Sequence, residues 1–159
     1  KPQISRSGNG FIPAILVPEG NTNDSKELIP MVESIIKRTN VIPKIVSTDD
    51  GYASEDNRSK LLEMQISVVS MSGAKGKKLT PIRSWNSKVY QEERKNRSAV
   101  ESTIFSVKHL YDFGDVRRRG IDEVTAELLE KVVVFNFARI GKIEKAKQVK
   151  IENRKKKAS

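Results

Sequence analysis

The composition of this 159-residue chain is basic and free of cysteine, with 30 Lys and Arg residues against 20 Asp and Glu, a net charge of +10. The absence of cysteine excludes disulfides and thiolate metal sites, and a single histidine, His109, excludes a histidine cage. Any metal would therefore be held by carboxylates, which suits Mg²⁺ or Mn²⁺. No apolar run approaches the ~18 residues of a membrane span, and the length suits one domain with a core.

The first half of the chain shows alternating strand and helix patterns. In chain order we predict a strand at Phe11–Val17, a helix over 23–40 capped by Asn23 or Asp24, a short buried strand over 43–47, a helix over 54–64 capped by Ser54, and a third strand at Ile66–Met71. Such alternation predicts parallel strands with covering helices, an α/β fold.

The second half begins with a basic segment and then becomes helical. Residues 73–97 have no clear periodicity and are expected to form an extended insertion. Two helices follow, over 98–113 and 120–140, and the second has one apolar seam of Ile121, Val124, Leu128, Val132 and Phe135. We therefore divide the chain into a domain over 1–140, which includes the insertion, and a basic tail over 141–159.

The positive charge is concentrated in two segments. Residues 73–97 and 141–159 each contain eight basic and two acidic residues, a net charge of +6 apiece. Two such segments on a near-neutral body indicate a polyanionic partner, most often nucleic acid. The insertion also contains Trp85 and Tyr90, which are suited to stacking on bases. Solvated loops, a frayed tail and a basic surface for a protein partner are the alternatives.

Two adjacent acids, Asp49 and Asp50, follow the predicted strand over 43–47 in the stretch "STDDGYAS". Ligand sites in parallel sheets form beyond the carboxyl ends of strands, so this position favours a ligand site. Side chains alternate along a strand, so the two carboxylates should point to opposite sides. Only one of them can then face a given metal site.

A second pattern lies on the helix that follows the insertion. Arg94, Arg97, Glu101 and Lys108 have spacings of three, four and seven, which place them along one helix face. One interpretation is a partly buried ladder of ion pairs. The other makes Glu101 a metal ligand and the cations contacts for phosphates, since carboxylates from separate elements can hold two ions for phosphoryl transfer.

These motifs resemble a known family. "STDDGYAS", "NRSAVESTIFSVK" and "RRRG", followed by "TAELLEKVVVFNFARI", are similar to the catalytic half of DDE transposases of bacterial insertion sequences, in the retroviral-integrase superfamily. The family has a D-x-G-Y motif and a Tyr-x2-Arg-x3-Glu-x6-Lys signature. Asp49 matches the second acid, and Arg97, Glu101 and Lys108 match the last three signature positions. Arg94 stands at the tyrosine position, with Tyr90 one turn earlier.

The resemblance implies a ribonuclease-H-like α/β fold, a mixed sheet with flanking helices. The family's first acid and central first strand would lie upstream, so the chain is expected to be the C-terminal part of the catalytic domain, incomplete at its N-terminus. The implied activity is metal-dependent DNA strand cleavage and strand transfer. Asp49 and Glu101 would be the catalytic metal ligands, with two Mg²⁺ or Mn²⁺ ions in the complete enzyme.

The resemblance also implies partners. The expected partner is double-stranded DNA, both as transposon ends and as target. The complete protein is a possible homodimer. Its expected location is the bacterial cytoplasm, at the nucleoid, with no membrane partner. The expected DNA contacts are basic or aromatic: Arg94, Arg97, Lys108, Lys75, Lys77, Lys78, Arg83 and Trp85. The alternative is a catalytically inactive remnant that only binds nucleic acid non-specifically.

Overall fold

The chain forms a mixed α/β structure in which seven helices accompany two small sheets within residues 2–20 and 22–158, the part that this computed structural model describes. Side chains are described as far as residue 155. The elements are β1 (Gln3–Ile4), β2 (Ile15–Leu16), α1 (Asp24–Thr39), β3 (Ile45–Thr48), α2 (Glu55–Glu63), β4 (Val68–Met71), α3 (Gly73–Leu79), α4 (Ile82–Trp85), α5 (Lys88–Asn96), α6 (Ser98–Leu110) and α7 (Ile121–Ala158).

The two sheets have two strands each. β1 and β2 pair antiparallel, and β3 and β4 pair in parallel from Ile45 opposite Val68 to Thr48 opposite Met71. The parallel pairing confirms the prediction from strand and helix alternation for β3 and β4, whereas β2 pairs with β1 in a separate antiparallel sheet. The predicted strand Phe11–Val17 is shorter than expected, because only two of its residues join the ladder. β3 is also less buried than predicted, with Ile45 39% exposed, since it pairs along one edge only.

The first core joins α1 and α2 to one face of β3 and β4. Both helices begin at the predicted caps: the Asn23 side chain accepts from the backbone N–H of Ser25, and the Ser54 hydroxyl accepts from that of Asn57. The buried side chains of this core come from both helices and from β4: Leu28, Val32, Leu61, Val69 and Met71. Their packing fixes the β3 carboxyl end, and therefore Asp49, relative to α1.

The basic insertion over 73–97 is helical, so the prediction of an extended segment is wrong. Three short helices, α3, α4 and α5, form there instead. α3 and α5 contact β4, and α4 contacts α5. Asp50 Oδ1 accepts hydrogen bonds from the backbone N–H groups of Lys75 and Gly76, at 2.8 and 3.1 Å. Gly76 packs so closely on β4 that an added Cβ would lie 2.0 Å from the Met71 carbonyl oxygen.

The second core joins α6 and α7 to the β1–β2 hairpin. Arg97 keeps helical backbone angles between α5 and α6, so Arg94 to Lys108 follow a nearly continuous helical path. On α7, Leu128 and Val132 of the predicted seam are buried against Ile12 and Ile15, whereas Ile121 is exposed. α7 continues through residues 141–158, so this segment is helical rather than frayed. None of the described helices combines the length and apolar character that crossing a membrane requires.

Candidate active site

A cavity of about 520 Å³ lies between β1, β3, α1 and α6. Its polar lining includes Asp49, at the carboxyl end of β3, together with Arg97, Glu101 and Lys108 of the α6 region. These are four of the predicted site residues, from two segments about fifty residues apart in sequence. The fold therefore brings the strand-end acid and the helix acid to the same cavity.

The two adjacent acids have different surroundings. Asp49 is exposed at the cavity, and its Oδ1 accepts a hydrogen bond from the Gly51 backbone N–H at 3.0 Å. Asp50 faces α3 instead, where it accepts from the first turn of that helix. Asp50 therefore has a structural role, because the helix N-terminus has unpaired N–H groups and Ser72, the capping residue, makes no side-chain bond to them. This separation agrees with the expected strand alternation.

Glu101 and its neighbours form a charged face on the cavity wall. The Glu101 carboxylate pairs with the Arg97 guanidinium at 3.1 Å, and its side chain is 64% exposed. An exposed pair of this kind contributes little stability, so the carboxylate is accessible to another cation at little cost. Lys108, also exposed, lies two turns further along the same wall.

Among the polar groups of this cavity that sequence reasoning missed, three are linked by hydrogen bonds: Gln3, Asp24 and Tyr52. Gln3 joins the other two, since its Nε2 donates to Asp24 Oδ1 at 2.8 Å and its Oε1 accepts from the Tyr52 hydroxyl. Burial, then the negative charges of Asp24, Asp49 and Glu27, raise the pKa of Tyr52 to about 12. The hydroxyl therefore stays protonated and donates. The "GY" of the strand-end motif was the sequence signal that could have identified Tyr52. Asp24 was instead interpreted as a possible helix cap.

The other expected DNA contacts lie outside this cavity. Arg94, Trp85 and Lys77 line a second, more open cavity of about 550 Å³. The Arg94 guanidinium lies 4.0 Å from the centre of the Trp85 ring, a cation–π contact, so that face of the indole is covered. Lys75 and Lys78 are exposed on α3, whereas Arg83 borders a third cavity.

Tyr90 has a structural role, and the prediction that it stacks on bases is wrong. It is 2% exposed, and its hydroxyl bonds both the N–H and the carbonyl of Met71 and the Thr80 hydroxyl, each at 2.9 Å. The ring therefore fastens α5 to β4. Base stacking would require it to leave this position.

The oxygen donors of the first cavity fit a hard divalent cation in type. Asp49 and Glu101 supply carboxylates, the ligands that Mg²⁺ and Mn²⁺ prefer. Among the residues described, no three His, Cys, Asp or Glu side chains come close enough together to hold a metal ion.

Comparison with known proteins places this acid-lined α/β domain in a family. The family model described as "Transposase DDE domain" matches residues 4–137, which is most of the chain. The chain therefore belongs to the DDE transposase family. No curated protein and no solved structure matches it. Membership indicates DNA transposition; transposases bind DNA, and this family generally uses divalent metal ions.

Proposed function

We propose that this chain carries two of the acids with which a DDE transposase cleaves DNA at transposon ends and joins the free 3′-hydroxyl to target DNA. Asp49 and Glu101 are the proposed catalytic residues. The observation that supports this proposal is that both line one cavity with Arg97 and Lys108, in a member of the transposase family. The proposal assigns the bond-breaking chemistry to this cavity.

The side chains of the cavity have separate proposed roles. Asp49 and Glu101 would hold two Mg²⁺ or Mn²⁺ ions, which supply electrostatic stabilisation of the attacking and leaving oxygens. Arg97 and Lys108 flank the acids and would bind the phosphates on either side of the scissile bond. The Arg97 guanidinium is paired with Glu101 in this structure and would bind a phosphate oxygen if a metal ion took over the Glu101 carboxylate.

The gap between the two sheets supports a ribonuclease-H-like arrangement. The cavity is lined by Gln3 and Ile4 of β1 on one side and by all four residues of β3 on the other. Within residues 2–20 and 22–158, the edge of β3 that faces this gap has no strand partner. We propose that a further strand, bearing the remaining acid of the set, occupies the gap and joins the two sheets, so that this chain is the C-terminal part of the catalytic domain.

The remaining proposals concern the setting of the reaction. From the resemblance to insertion-sequence transposases we infer a bacterial protein that acts at the nucleoid, as a homodimer, on double-stranded transposon ends and target DNA. The basic insertion over 73–97 and the basic segment over 141–159 would lie along the duplex, since each has a net charge of +6.

The experiment that tests the proposed function is strand cleavage by the full-length gene product on DNA with its own element ends, with Mg²⁺ or Mn²⁺. Asp49→Asn and Glu101→Gln should each lower the rate by several orders of magnitude and leave DNA binding largely intact. Asp56→Asn and Glu63→Gln are matched controls, because both acids are exposed on α2, outside the cavity lining. Cleavage by both cavity variants at the control rate would refute the proposal.

The second candidate function is non-specific nucleic-acid binding by an inactive remnant. The two basic segments over 73–97 and 141–159 favour it, because non-specific binding to phosphates needs only their charge. The two functions differ in one measurement. A full-length protein that binds its element ends, yet cleaves none of them with either metal, is the remnant.

A further inference from the structure

The loop between α6 and α7, residues 112–119, contains three consecutive arginines that the proposed active site does not use. They are Arg117, Arg118 and Arg119. The loop begins at the cavity, since Phe113 lines it together with Lys108.

A buried carboxylate fixes the backbone of this loop. Glu127, on α7, is 7% exposed, and its Oε2 accepts from the backbone N–H groups of Arg117 and Arg118, at 3.0 and 2.9 Å. Lys131, one turn further along α7, pairs with the same carboxylate at 2.7 Å. The Lys131 ammonium also donates to the carbonyls of Asp112 and Asp115, each at 2.8 Å. Two side chains of one helix therefore hold both halves of the loop.

Withdrawing an ion pair from water carries a desolvation cost that the pair itself often fails to recover. The Glu127–Lys131 pair mainly fixes the backbone of the exposed loop over 112–119, and it adds little to the packing of the core. A loop ordered in advance binds a ligand without the conformational entropy that a mobile loop would lose on binding. The arrangement therefore favours recognition by the loop.

The three arginines differ in their partners. The Arg118 guanidinium pairs with Glu130 at 3.0 Å and approaches Glu123 at 4.0 Å, so its charge is partly neutralised on α7. Arg117 and Arg119 are exposed, and within the described part of the chain neither guanidinium forms an ion pair. The fixed loop therefore presents two unneutralised guanidinium groups to solvent.

We propose that the loop over 112–119 is a preorganised contact for the DNA phosphate backbone, in which Arg117 and Arg119 bind phosphates and Glu127 and Lys131 are positioning residues. The inference rests on the proposed function, which supplies the DNA. It adds a second basic element to the Arg97 and Lys108 face, on the loop whose Phe113 lines the same cavity. Guanidinium groups suit this role because their planar donors match phosphate oxygens.

The test is the salt dependence of duplex DNA binding by the full-length protein and by an Arg117→Ala/Arg119→Ala variant. Each phosphate contact contributes about 0.9 to the slope of log K against log salt concentration. The variant should therefore lose about 2 from this slope. Lys37→Ala/Arg38→Ala is the matched control. These two cations are exposed in the last turn of α1, which leads into the start of β3, whereas Asp49 follows the end of β3. The control variant should keep the wild-type slope.

An unchanged slope in the arginine variant, or a control that loses as much, would overturn the loop proposal and leave the cleavage test of Asp49 and Glu101 untouched. A wild-type protein without salt-dependent binding would overturn the loop proposal too. Conversely, a protein that cleaves no DNA can still be tested for the salt dependence of DNA binding. The two proposals therefore fail in different assays.

The positioning role of Glu127 has its own readout. Glu127→Gln should weaken DNA binding severalfold and speed hydrogen exchange at the Arg117 and Arg118 amides. In the Arg117→Ala/Arg119→Ala background the same substitution should no longer affect binding, since coupled residues are non-additive. An equal loss of affinity in both backgrounds would show that Glu127 acts only on overall stability.

Discussion

The Glu101 carboxylate lies 3.1 Å from the Arg97 guanidinium, one helical turn earlier on the wall of the acid-lined cavity. The two side chains are 64% and 33% exposed, so the pair is formed largely in water. Arg97 therefore holds the Glu101 carboxylate in place, and because the pair is weak, another cation can replace the guanidinium.

Removing the charge of Glu101 should hardly affect stability. Exposed i,i+4 ion pairs contribute about 0.3–0.5 kcal/mol, so Glu101→Gln should lower the free energy of unfolding by less than about 0.5 kcal/mol. Chemical denaturation of the wild type and the variant measures this difference. A loss above about 2 kcal/mol would show that Glu101 is mainly structural, and a loss of activity in the variant would then be uninformative.

Asp50 should contribute to stability and not to chemistry. Asp50→Ala removes the acceptor for two N–H groups at the start of α3 and should cost about 1–2 kcal/mol. Asp50→Asn keeps an oxygen in the same position, so it should fold normally and retain cleavage, at a rate reduced by the change in local charge. Thermal unfolding and cleavage assays check both. An inactive Asp50→Asn with an active Asp49→Asn would reverse the assignment of the two acids.

Tyr90 should contribute to stability through its hydroxyl. Tyr90→Phe leaves the N–H and carbonyl of Met71 and the Thr80 hydroxyl without this partner, and each buried unpaired group costs about 1–3 kcal/mol. We expect a loss of roughly 2–4 kcal/mol in urea unfolding.

Tyr111→Phe is the matched control for that experiment. Tyr111 is half-buried against Phe135, and within the described residues its hydroxyl has no hydrogen bond. Its loss should change stability by less than about 0.5 kcal/mol. Equal effects of the two substitutions would contradict the role assigned to the Tyr90 hydroxyl.

Glu127 should make stability depend on pH in the acid range. Its hydrogen bond to Lys131, then those from the backbone N–H groups of Arg118 and Arg117, lower its pKa from 4.5 to about 2. A depressed folded-state pKa stabilises the protein above pH 4.5, and this contribution is lost as the pH falls through about 2. The stability difference between wild type and Glu127→Gln should therefore shrink from pH 4.5 down to 2. A difference that stays constant across this range would contradict the assignment.

Local signals predicted the parts of the fold that local chemistry determines. Asn23 and Ser54 each cap a helix through a bond to an N–H two or three residues later, so the sequence alone indicates both helix starts. The parallel pairing of β3 with β4 followed from the helix between them. The position of Asp49 at a strand end, and of Glu101 on the helix face of Arg97 and Lys108, was predicted in the same way.

The failures all involve contacts between distant residues. The helices of the basic insertion depend on Asp50, 25 residues before Lys75, and on the bond from Tyr90 to Met71. Asp24 was interpreted as part of a helix cap, whereas Asn23 makes the cap and leaves the Asp24 carboxylate to Gln3. In the sequence, Glu127 is an ordinary polar position on a helix, and only the structure shows that it binds the backbone of the loop over 112–119.

The bond from Tyr90 to Met71 also bears on how copies of this protein behave at high concentration. Exposed strand edges recruit strands of other molecules and so start aggregation. The outer edge of β4 has its Met71 N–H and carbonyl occupied by a phenol, and the free edge of β3 faces a cavity enclosed by α1 and α6. At Met71 the Tyr90 hydroxyl therefore takes both backbone groups with which a strand of another molecule would pair, so this end of the β4 edge is a poor template for edge-to-edge association.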